Sequence, residues 1–407
     1  MVEALGVYVS VPFCRAKCTY CNFASGVFGM ERMDAYVARV CGEIAEARGE
    51  AARAGAELPS RVDTVYFGGG TPSLLGAEQV ERIFGALRGE FAVEADAEIT
   101  LECAPGQLSE ETLAALLREG MNRVSFGVQS FVDREARAVG RMHTREMCVA
   151  EIERMRTAGV SNVSVDLIVG LPHQTAESWS ESVDTLIATG VSHASVYMLE
   201  VDEDSRLGKE MLAEGGRYGA GETPSDDAVA EWYGEGCTRL EGAGLQQYEI
   251  SNFARSGRMS RHNRKYWRRE PYIGFGLDAH TMVRVGPEEA VRWANGDDLE
   301  EYIGQGDSAT EREEVLPLWR AGGRRVDAVG VLKSFEETLF LGLRMNEGIA
   351  LEPLRQRYGA GLVDGVLVRL ADTMEAGLTE EGNGRVRLTS AGRMVSNEVF
   401  GRVLAAG

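Results

Sequence analysis

Three cysteines near the start of the chain have a spacing that suits a metal centre. Cys14, Cys18 and Cys21 follow the pattern C-x3-C-x2-C. A [4Fe–4S] cluster has four irons, each of which takes a terminal ligand. Three thiolates leave one iron open to a small molecule, and an open position is typical of a catalytic metal site. The alternatives are unrelated thiols or a zinc module, but zinc sites usually add a second Cys or His pair, and none follows.

Around these cysteines, the stretch VPFCRAKCTYCNF resembles the cluster loop of radical S-adenosylmethionine (SAM) enzymes. The resemblance is to the branch that contains HemN-type oxygen-independent coproporphyrinogen III oxidases and HemW-like heme chaperones. It implies that the amino and carboxylate groups of SAM bind the fourth iron. It also implies that the reduced cluster cleaves SAM to a 5′-deoxyadenosyl radical. The protein would then supply orientation and protection from side reactions.

Composition and charge describe an acidic chain without an apparent membrane segment. The 407 residues carry a formal net charge of −20, which argues against a nucleic-acid-binding face. No run approaches the roughly 20 apolar residues that span a bilayer, and Met1 leads into a strand pattern without a targeting segment. Seven cysteines, an odd number, favour a reducing, cytoplasmic location over a disulfide framework. Four of them are interpreted as packing residues: Cys41, Cys103, Cys148 and Cys237.

Short β-rich runs alternate with amphipathic helical patterns over the first half of the chain. This alternation predicts an α/β fold with a parallel sheet. Six strand–helix units would form a partial (β/α)6 barrel, which is the radical SAM fold that the resemblance implies. Reactive groups gather at the carboxyl ends of strands in parallel barrels. The predicted strands are Gly6–Val11, Thr64–Phe67, Glu98–Glu102, Arg123–Val128, Asn162–Val169 and Ser192–Leu199.

Polar and glycine-rich motifs follow these strands. The run YFGGGTPS includes Gly69, Gly70 and Thr71, and its glycines let the backbone approach a ligand with exposed N–H groups. The run resembles the superfamily's GGE-type motif, which contacts the amino group of SAM. Glu102 ends the third strand and could accept hydrogen bonds from the SAM ribose. The alternative for Glu102 is a solvated surface carboxylate.

The remaining SAM candidates rest on the resemblance. Gln129 and Arg141 match positions that contact SAM in the oxidase branch, and Tyr8 and Tyr20 are assigned to the same site. Asp166 lies within an apolar strand, where an unpaired carboxylate is costly. It is therefore either a ligand or the partner of an arginine such as Arg141, and the DLIVGLP run favours the ligand.

The resemblance continues beyond the barrel. The runs QYEISNFA, HNRKYW and YIGFGLDAH are similar to segments of the same branch, although Asp278 replaces the usual small residue in the last. We predict a barrel with its cluster loop over residues 1–240 and an extension with a linker over 241–325. A small α-rich C-terminal domain, winged-helix-like in character and with a β pair near Arg385–Leu388, follows over 326–407.

Two features separate the chaperone from the oxidase within this branch. HemN-type oxidases usually carry a fourth cysteine where this chain has Phe23, and a long extension before the cluster where it has thirteen residues. His262 is a candidate axial ligand of heme iron, with Tyr266 and Trp267 against the porphyrin face. Basic neighbours would pair with the propionates. The alternatives are a surface His262 on a basic helix, or His280 as the ligand.

The sequence thus predicts a heme chaperone with a SAM-coordinated [4Fe–4S] cluster. Its expected partners are heme and an acceptor hemoprotein, of a membrane respiratory chain, with no nucleic acid. The alternative is an oxygen-independent coproporphyrinogen III oxidase, a radical decarboxylase of porphyrin biosynthesis. Whether SAM is cleaved or only bound, and therefore whether the protein is an enzyme, stays open at this point.

Overall fold

The computed structural model describes residues 3–304 and 325–404. Six strands alternate with helices over its first half, at the positions that the β-rich runs predict. The strands are β1 Leu5–Val11, β2 Arg61–Gly69, β3 Ala92–Cys103, β4 Arg123–Gln129, β5 Asn162–Val169 and β6 His193–Met198. The intervening helices are α1 Met33–Arg53, α2 Ala77–Glu90, α3 Glu110–Arg118, α4 Asp133–Ala138, α5 Arg145–Thr157 and α6 Ala176–Thr189. All neighbouring pairs from β1 to β6 are parallel, which confirms the predicted (β/α)6 core.

Later strands widen this sheet at both edges. Past β6 come the helices α7 Arg206–Leu212 and α8 Asp226–Gly242 and the strands β7 Gln246–Gln247 and β8 Asn252–Ala254. At the β1 edge lie β9 Tyr272–Phe275, β10 His280–Arg284, β11 Ala290–Ala294 and β12 Arg325–Val329. The strand β9 runs parallel to β1, whereas β10, β11 and β12 pair antiparallel in turn. The sequence did not predict β9 as a neighbour of β1.

A short helix, α9 Arg261–Trp267, carries the HNRKYW run and packs where the strands begin. Ser260 caps its first turn by accepting from the Asn263 N–H. The helix α10 Leu299–Gly304 follows β11. Short 3-10 turns occur at Met30–Arg32, Pro72–Leu74 and Arg217–Glu222.

The C-terminal residues form a second hydrophobic cluster around Phe335, Leu343 and Val399. Its helices are α11 Val331–Leu343, α12 Leu351–Tyr358, α13 Ala360–Arg369, α14 Ala371–Glu375, α15 Ser390–Met394 and α16 Ser396–Leu404. The strands β13 Ile349–Ala350, β14 Thr379–Gly382 and β15 Arg385–Leu388 make a three-stranded sheet. This arrangement confirms a small α-rich C-terminal domain and the β pair near residue 385. The predicted linker lies partly outside the described residues, at 305–324.

A buried ion-pair network joins the two parts. Arg269 donates to Glu337 at 3.0 Å and to the Ser334 hydroxyl at 2.5 Å, and Arg292 contacts Glu337 at 2.7 Å. Arg269 and Glu337 are 5% and 9% exposed. Removing one partner of such a buried pair leaves an uncompensated charge, so this network fixes the C-terminal domain against the extension. Among the described helices, none is long and apolar enough to cross a membrane.

Candidate functional site

The inner face of the barrel is polar. Successive residues of a strand point to opposite faces, and the even-numbered residues of β1, β2 and β3 point inwards. Tyr8 stacks on Tyr66 with ring centroids 6.1 Å apart, and the Ser125 hydroxyl lies 3.2 Å from an Asp166 oxygen. Barrel interiors are usually filled by Val, Ile and Leu, so this lining indicates a chamber for a polar ligand. Its inward-facing side chains include Tyr8, Ser10, Thr64, Tyr66, Glu98, Thr100, Glu102, Arg123, Ser125, Ser164, Asp166, His193, Ser195 and Tyr197.

The three cysteines lie in the loop between β1 and α1, at the carboxyl end of the barrel. Cys14 N–H donates to Gly26 at 2.9 Å, and Cys21 N–H donates to Cys18 at 3.3 Å. The Thr71 hydroxyl is 3.6 Å from the Cys14 sulfur. Burial raises the pKa of the Cys14 thiol, and the hydrogen bond from Thr71 partly offsets this rise. The loop is thus anchored by its backbone, while all three thiols keep some exposure.

No three His, Cys, Asp or Glu side chains in residues 3–304 and 325–404 converge as the ligands of a single metal ion do. A mononuclear zinc site needs such convergence. The thiolates of a [4Fe–4S] cluster each bind a different iron and stand further apart. The arrangement of the three thiols is compatible with the cluster.

The glycine run after β2 lies directly against the cluster loop. Gly70 N–H donates to Val11 and Thr71 N–H to Phe13, at 2.9 and 2.8 Å. A Cβ at Gly70 would lie 2.9 Å from backbone atoms of Val11 and Phe13, so a side chain there would force the two loops apart. The run thus serves as a backbone platform beside the cysteines, which is the role that a glycine run predicts.

Glu102 lies inside the chamber and is not a solvated surface residue. The Tyr66 hydroxyl donates to it at 2.8 Å, and the Gly69 N–H also donates to it. Burial raises the pKa of Glu102 to about 7, even though these donors favour the carboxylate. A half-buried carboxylate with free acceptor capacity can receive hydroxyl donors from a ligand.

Asp166 on β5 and Arg141, in the loop between α4 and α5, lie close enough to Glu102 for their charges to affect its pKa, and Gln129 ends β4. A Cβ at Gly127 would lie 2.9 Å from the Arg141 guanidinium and 3.2 Å from the Gln129 amide, so both side chains lie over this glycine. Arg141 Nη2 donates to the Tyr20 hydroxyl at 3.4 Å. Burial raises the pKa of Asp166, and hydrogen bonds from serines and the charge of Arg141 oppose that rise. The structure therefore brings all these predicted residues to one side of the chamber.

Comparison with known proteins identifies the family of the chain. The Radical SAM superfamily matches residues 8–186, and the HemN C-terminal domain matches residues 334–395. The heme chaperone HemW of Bacillus subtilis is 33% identical over 399 residues, 98% of this chain and 98% of that protein. The heme chaperone HemW of Lactococcus lactis is 30% identical, over 98% of this chain and 96% of that protein. The chain belongs to the HemW family of radical SAM proteins.

A solved structure agrees on the fold of this HemW-family chain. The coproporphyrinogen III oxidase HemN of Escherichia coli superposes with a TM-score of 0.80 and is 24% identical. The match covers 99% of this chain and 90% of that one. The barrel and the C-terminal domain are therefore arranged as in HemN.

Membership of the radical SAM superfamily implies a [4Fe–4S] cluster and SAM as cofactors. The lining of the chamber fits such a ligand. Gln129 Oε1 and Arg141 Nε are buried and have no hydrogen-bond partner within the described chain. Gln129 also holds a φ of +70°, which is uncommon for a side chain of its size. Buried polar groups normally find partners, so these two point to a polar ligand beside the cysteines.

His262 occupies the opposite end of the chamber. Its Nδ1 lies 2.9 Å from the Thr64 hydroxyl and its Nε2 lies 2.8 Å from the Tyr266 hydroxyl. His262 is 1% exposed, so the surface alternative is wrong. Burial, reinforced by the charge of Lys265, lowers the pKa of His262 to about 3, and the imidazole is neutral. A neutral imidazole suits iron, but both ring nitrogens are engaged here.

Trp267 and the basic residues of this segment also have protein partners. The Arg344 guanidinium stacks 4.4 Å from the centroid of the Trp267 ring. Lys265 is 3% exposed and lies 2.8 Å from Asp63, and Arg268 is paired with a glutamate. His280, the rival ligand, is exposed and lies 3.8 Å from Asp278. The heme-ligand predictions for His262, Tyr266 and Trp267 stay predictions.

The chamber residues absent from the sequence-based candidates include Tyr66, Arg123 and Tyr197. Tyr197 has 42% of its surface accessible. Nevertheless, burial, together with the charges of Asp166 and Glu249, raises the pKa of its hydroxyl. A side chain that is both accessible and surrounded lines a concave space. The alternation of polar and apolar residues along each strand carries their signal, whereas the sequence-based candidates lie mostly at strand ends.

Proposed function

We propose that this protein is a heme chaperone, which binds heme together with a SAM-coordinated [4Fe–4S] cluster and delivers the heme to an acceptor hemoprotein. The observation that carries the proposal is the 33% identity to the Bacillus subtilis heme chaperone HemW over 98% of both chains. A similarity that includes the barrel, the extension and the C-terminal domain covers all parts of the predicted heme and SAM sites. A cytoplasmic location and an acceptor in a membrane respiratory chain are part of this proposal.

The cluster and SAM assignments follow the geometry at the carboxyl end of the barrel. Cys14, Cys18 and Cys21 would hold three irons, and SAM bound to the fourth would supply a sulfonium that the reduced cluster can cleave. Tyr8, Tyr20, Gly69, Gly70 and Thr71 would shape the rim of the SAM site. Thr71 donates to the Cys14 sulfur, which favours the thiolate that an iron requires.

The deeper residues would orient SAM. The Glu102 carboxylate would accept the ribose hydroxyls, held in place by the Tyr66 hydroxyl. Gln129 Oε1 and the Arg141 guanidinium would take polar groups of SAM, which gives their unpartnered atoms a partner. Asp166, in hydrogen-bond contact with Ser125, would balance the charge of Arg141.

The domain division is part of the proposal as well. Residues 1–240 would form the barrel, 241–325 the extension that carries α9, and 326–407 the C-terminal domain. The match of the HemN C-terminal domain to residues 334–395 and the hydrophobic cluster around Phe335 support the last of these.

Heme ligation by His262 would require the ring to exchange a hydrogen bond for iron. Tyr266 is the partner at Nε2, so the Tyr266 hydroxyl competes with the metal for this nitrogen. Removing a hydrogen bond of this kind shifts an equilibrium by about 0.5–1.5 kcal/mol, or about 2- to 10-fold. Tyr266→Phe should therefore tighten heme binding by that factor, while His262→Ala should abolish or weaken it.

A heme titration of the anaerobically reconstituted protein tests the proposal. Saturable binding of about one heme per chain is expected from a single axial ligand site. His280→Ala is titrated in parallel, because His280 is the rival ligand and an exposed imidazole on β10. Unchanged heme affinity in His262→Ala would remove that ligand. Formation of protoporphyrinogen from coproporphyrinogen III, with SAM and a reductant under anaerobic conditions, would favour the oxidase instead.

A further inference from the structure

Arg123, at the start of β4, carries a guanidinium that the described chain leaves largely unpartnered. The residue is 2% exposed, and its Nε and Nη1 atoms are buried without a hydrogen-bond partner. No carboxylate of the described residues lies within the 4.0 Å of an ion pair to it. Burying a charge in this way costs several kcal/mol unless a partner compensates it. Such a group inside a chamber therefore indicates an anionic ligand.

Thr100 supplies a second unpartnered donor at the same place. It pairs with Arg123 across β3 and β4, so the two side chains are neighbours on the inner face. Thr100 is fully buried, and its Oγ1 has no hydrogen-bond partner. A guanidinium edge beside a hydroxyl matches the oxygens of a carboxylate, since arginine binds planar anions through parallel N–H donors.

Asp166 is the carboxylate whose charge interacts with Arg123, but its oxygens already have hydrogen-bond partners. Asp166 accepts from the hydroxyls of Ser125 and Ser195, and its charge is shared between Arg123 and Arg141. Arg141 lies at the carboxyl end of the chamber, against Tyr20 of the cluster loop. This distribution assigns Asp166 to the SAM end and leaves the donors of Arg123 free for a ligand.

The position of Arg123 distinguishes the carboxylate of SAM from a propionate of heme. Gly127, beneath Arg141 and Gln129, is four residues further along β4. Four residues of a parallel strand span about 13 Å. The methionyl carboxylate of SAM belongs at the open iron, beyond Gly127. The basic residues beside α9, namely Lys265, Arg268 and Arg269, already hold carboxylates of the protein.

We infer that Arg123 and Thr100 form a carboxylate subsite on the inner wall of the barrel, which receives a propionate of heme. The inference rests on the proposed function and adds a binding residue to it.

The test compares hemin with hemin dimethyl ester, whose propionates carry no charge. Both are titrated into the full-length reconstituted protein, and SAM affinity is measured in parallel by equilibrium dialysis. Arg123→Met removes the charge and the donors but keeps an unbranched stem, and Arg123→Lys keeps the charge. Arg137→Met is the control, because Arg137 is an exposed arginine paired only with Asp133.

We expect the wild type to bind hemin about 10- to 150-fold more tightly than the ester, since hydrogen bonds to charged groups contribute this much. Arg123→Met should lose the preference, Arg123→Lys should retain part of it, and Arg137→Met should match the wild type. SAM affinity should not change in any of them. Without heme, Arg123→Met should melt at the same or a higher temperature, because it removes an unpaired buried charge; a purely structural arginine would give a lower one.

Three results would overturn the inference. Equal affinity of the wild type for hemin and its ester, with saturable hemin binding, removes the subsite and leaves the proposed function intact. A loss of SAM affinity in Arg123→Met with the hemin preference unchanged assigns the carboxylate to SAM. Absence of any hemin binding by the wild type removes the proposed function itself. If Arg123→Met does not fold, the affinities of the wild type and of Arg123→Lys for hemin and for hemin dimethyl ester still test the inference.

Discussion

The raised pKa of Glu102 predicts a measurable pH dependence of SAM binding, and the hydrogen bond from Tyr66 sets its midpoint. In the proposed SAM site Glu102 would have to be ionised to accept the ribose hydroxyls, and burial raises its pKa to about 7. The affinity for SAM should therefore fall as the pH decreases through 7. Between pH 8 and pH 6 the ionised fraction drops from about nine-tenths to about one-tenth, so the affinity should drop about 10-fold.

Tyr66→Phe should move this dependence to higher pH. The Tyr66 hydroxyl lies 2.8 Å from the Glu102 oxygen and favours the carboxylate. A hydrogen bond to a charged group contributes about 1.5–3 kcal/mol, which corresponds to about 1–2 pKa units. The midpoint of SAM binding should then lie near pH 8–9, and at pH 7.5 the variant should bind about 3- to 25-fold more weakly.

Equilibrium dialysis of SAM against the reconstituted protein between pH 5.5 and about 9.5 measures both curves. Glu102→Gln is the control, because it keeps the shape of the side chain but cannot titrate, and its binding should show no midpoint near 7. A wild-type midpoint that persists in Glu102→Gln, or one that Tyr66→Phe leaves in place, would refute the reasoning. Without SAM, the pH dependence of the free energy of unfolding has the opposite sign to that of SAM affinity. The folded pKa lies above the ordinary value of 4.5, so Glu102 lowers the free energy of unfolding as the pH rises from about 4.5 to about 7.

Three further predictions concern the cluster, its platform and the domain contact. Cys18→Ser should abolish the iron–sulfur absorption near about 400 nm after reconstitution, whereas Cys103→Ser, in the outer core, should keep it. Gly70→Ala should lower the free energy of unfolding by about 1–3 kcal/mol, because the new Cβ would collide with the backbone of Val11 and Phe13. Gly85→Ala is the control, since its Cβ would lie in open space on α2, and it should raise the free energy of unfolding by up to about 1 kcal/mol. Glu337→Gln should lower the free energy of unfolding, measured by urea denaturation, by about 3–5 kcal/mol, because it leaves the two arginine partners of Glu337 uncompensated. A loss below about 1 kcal/mol would contradict the argument from the buried ion pair.

The barrel strands were predictable from sequence because their signal is local. Each strand alternates apolar outer residues with polar or small inner residues, as in Arg123-Val124-Ser125-Phe126-Gly127, and a turn or helix pattern follows within a few residues. The same local spacing identified the three cysteines and the glycine platform. The strand β9 was missed because its pairing with β1 joins residues 6–9 to residues 272–275, and no pattern within either segment specifies the other.

The site was partly predictable for the same reason. The resemblance placed Gln129, Arg141 and Asp166 in one site, and the structure brings their side chains together over Gly127 and Ser125. It gave no account of Tyr66, whose importance lies in a hydrogen bond to Glu102 on the next strand. A partner 36 residues away is set by the register of β2 and β3.

The sequence by itself determined the six barrel strands, the helices between them and the spacing of the thiols, because spacing and alternation act over a few residues. Only the tertiary structure decided where the HNRKYW segment lies and what its histidine does. His262 reaches Thr64 across 198 residues and is buried at the start of the strands. The same folding leaves Arg123 inside the chamber without a counter-ion within residues 3–304 and 325–404. These outcomes depend on which distant groups share a low-dielectric interior, where an unpaired charge or donor is costly, and a single stretch of sequence does not contain that information.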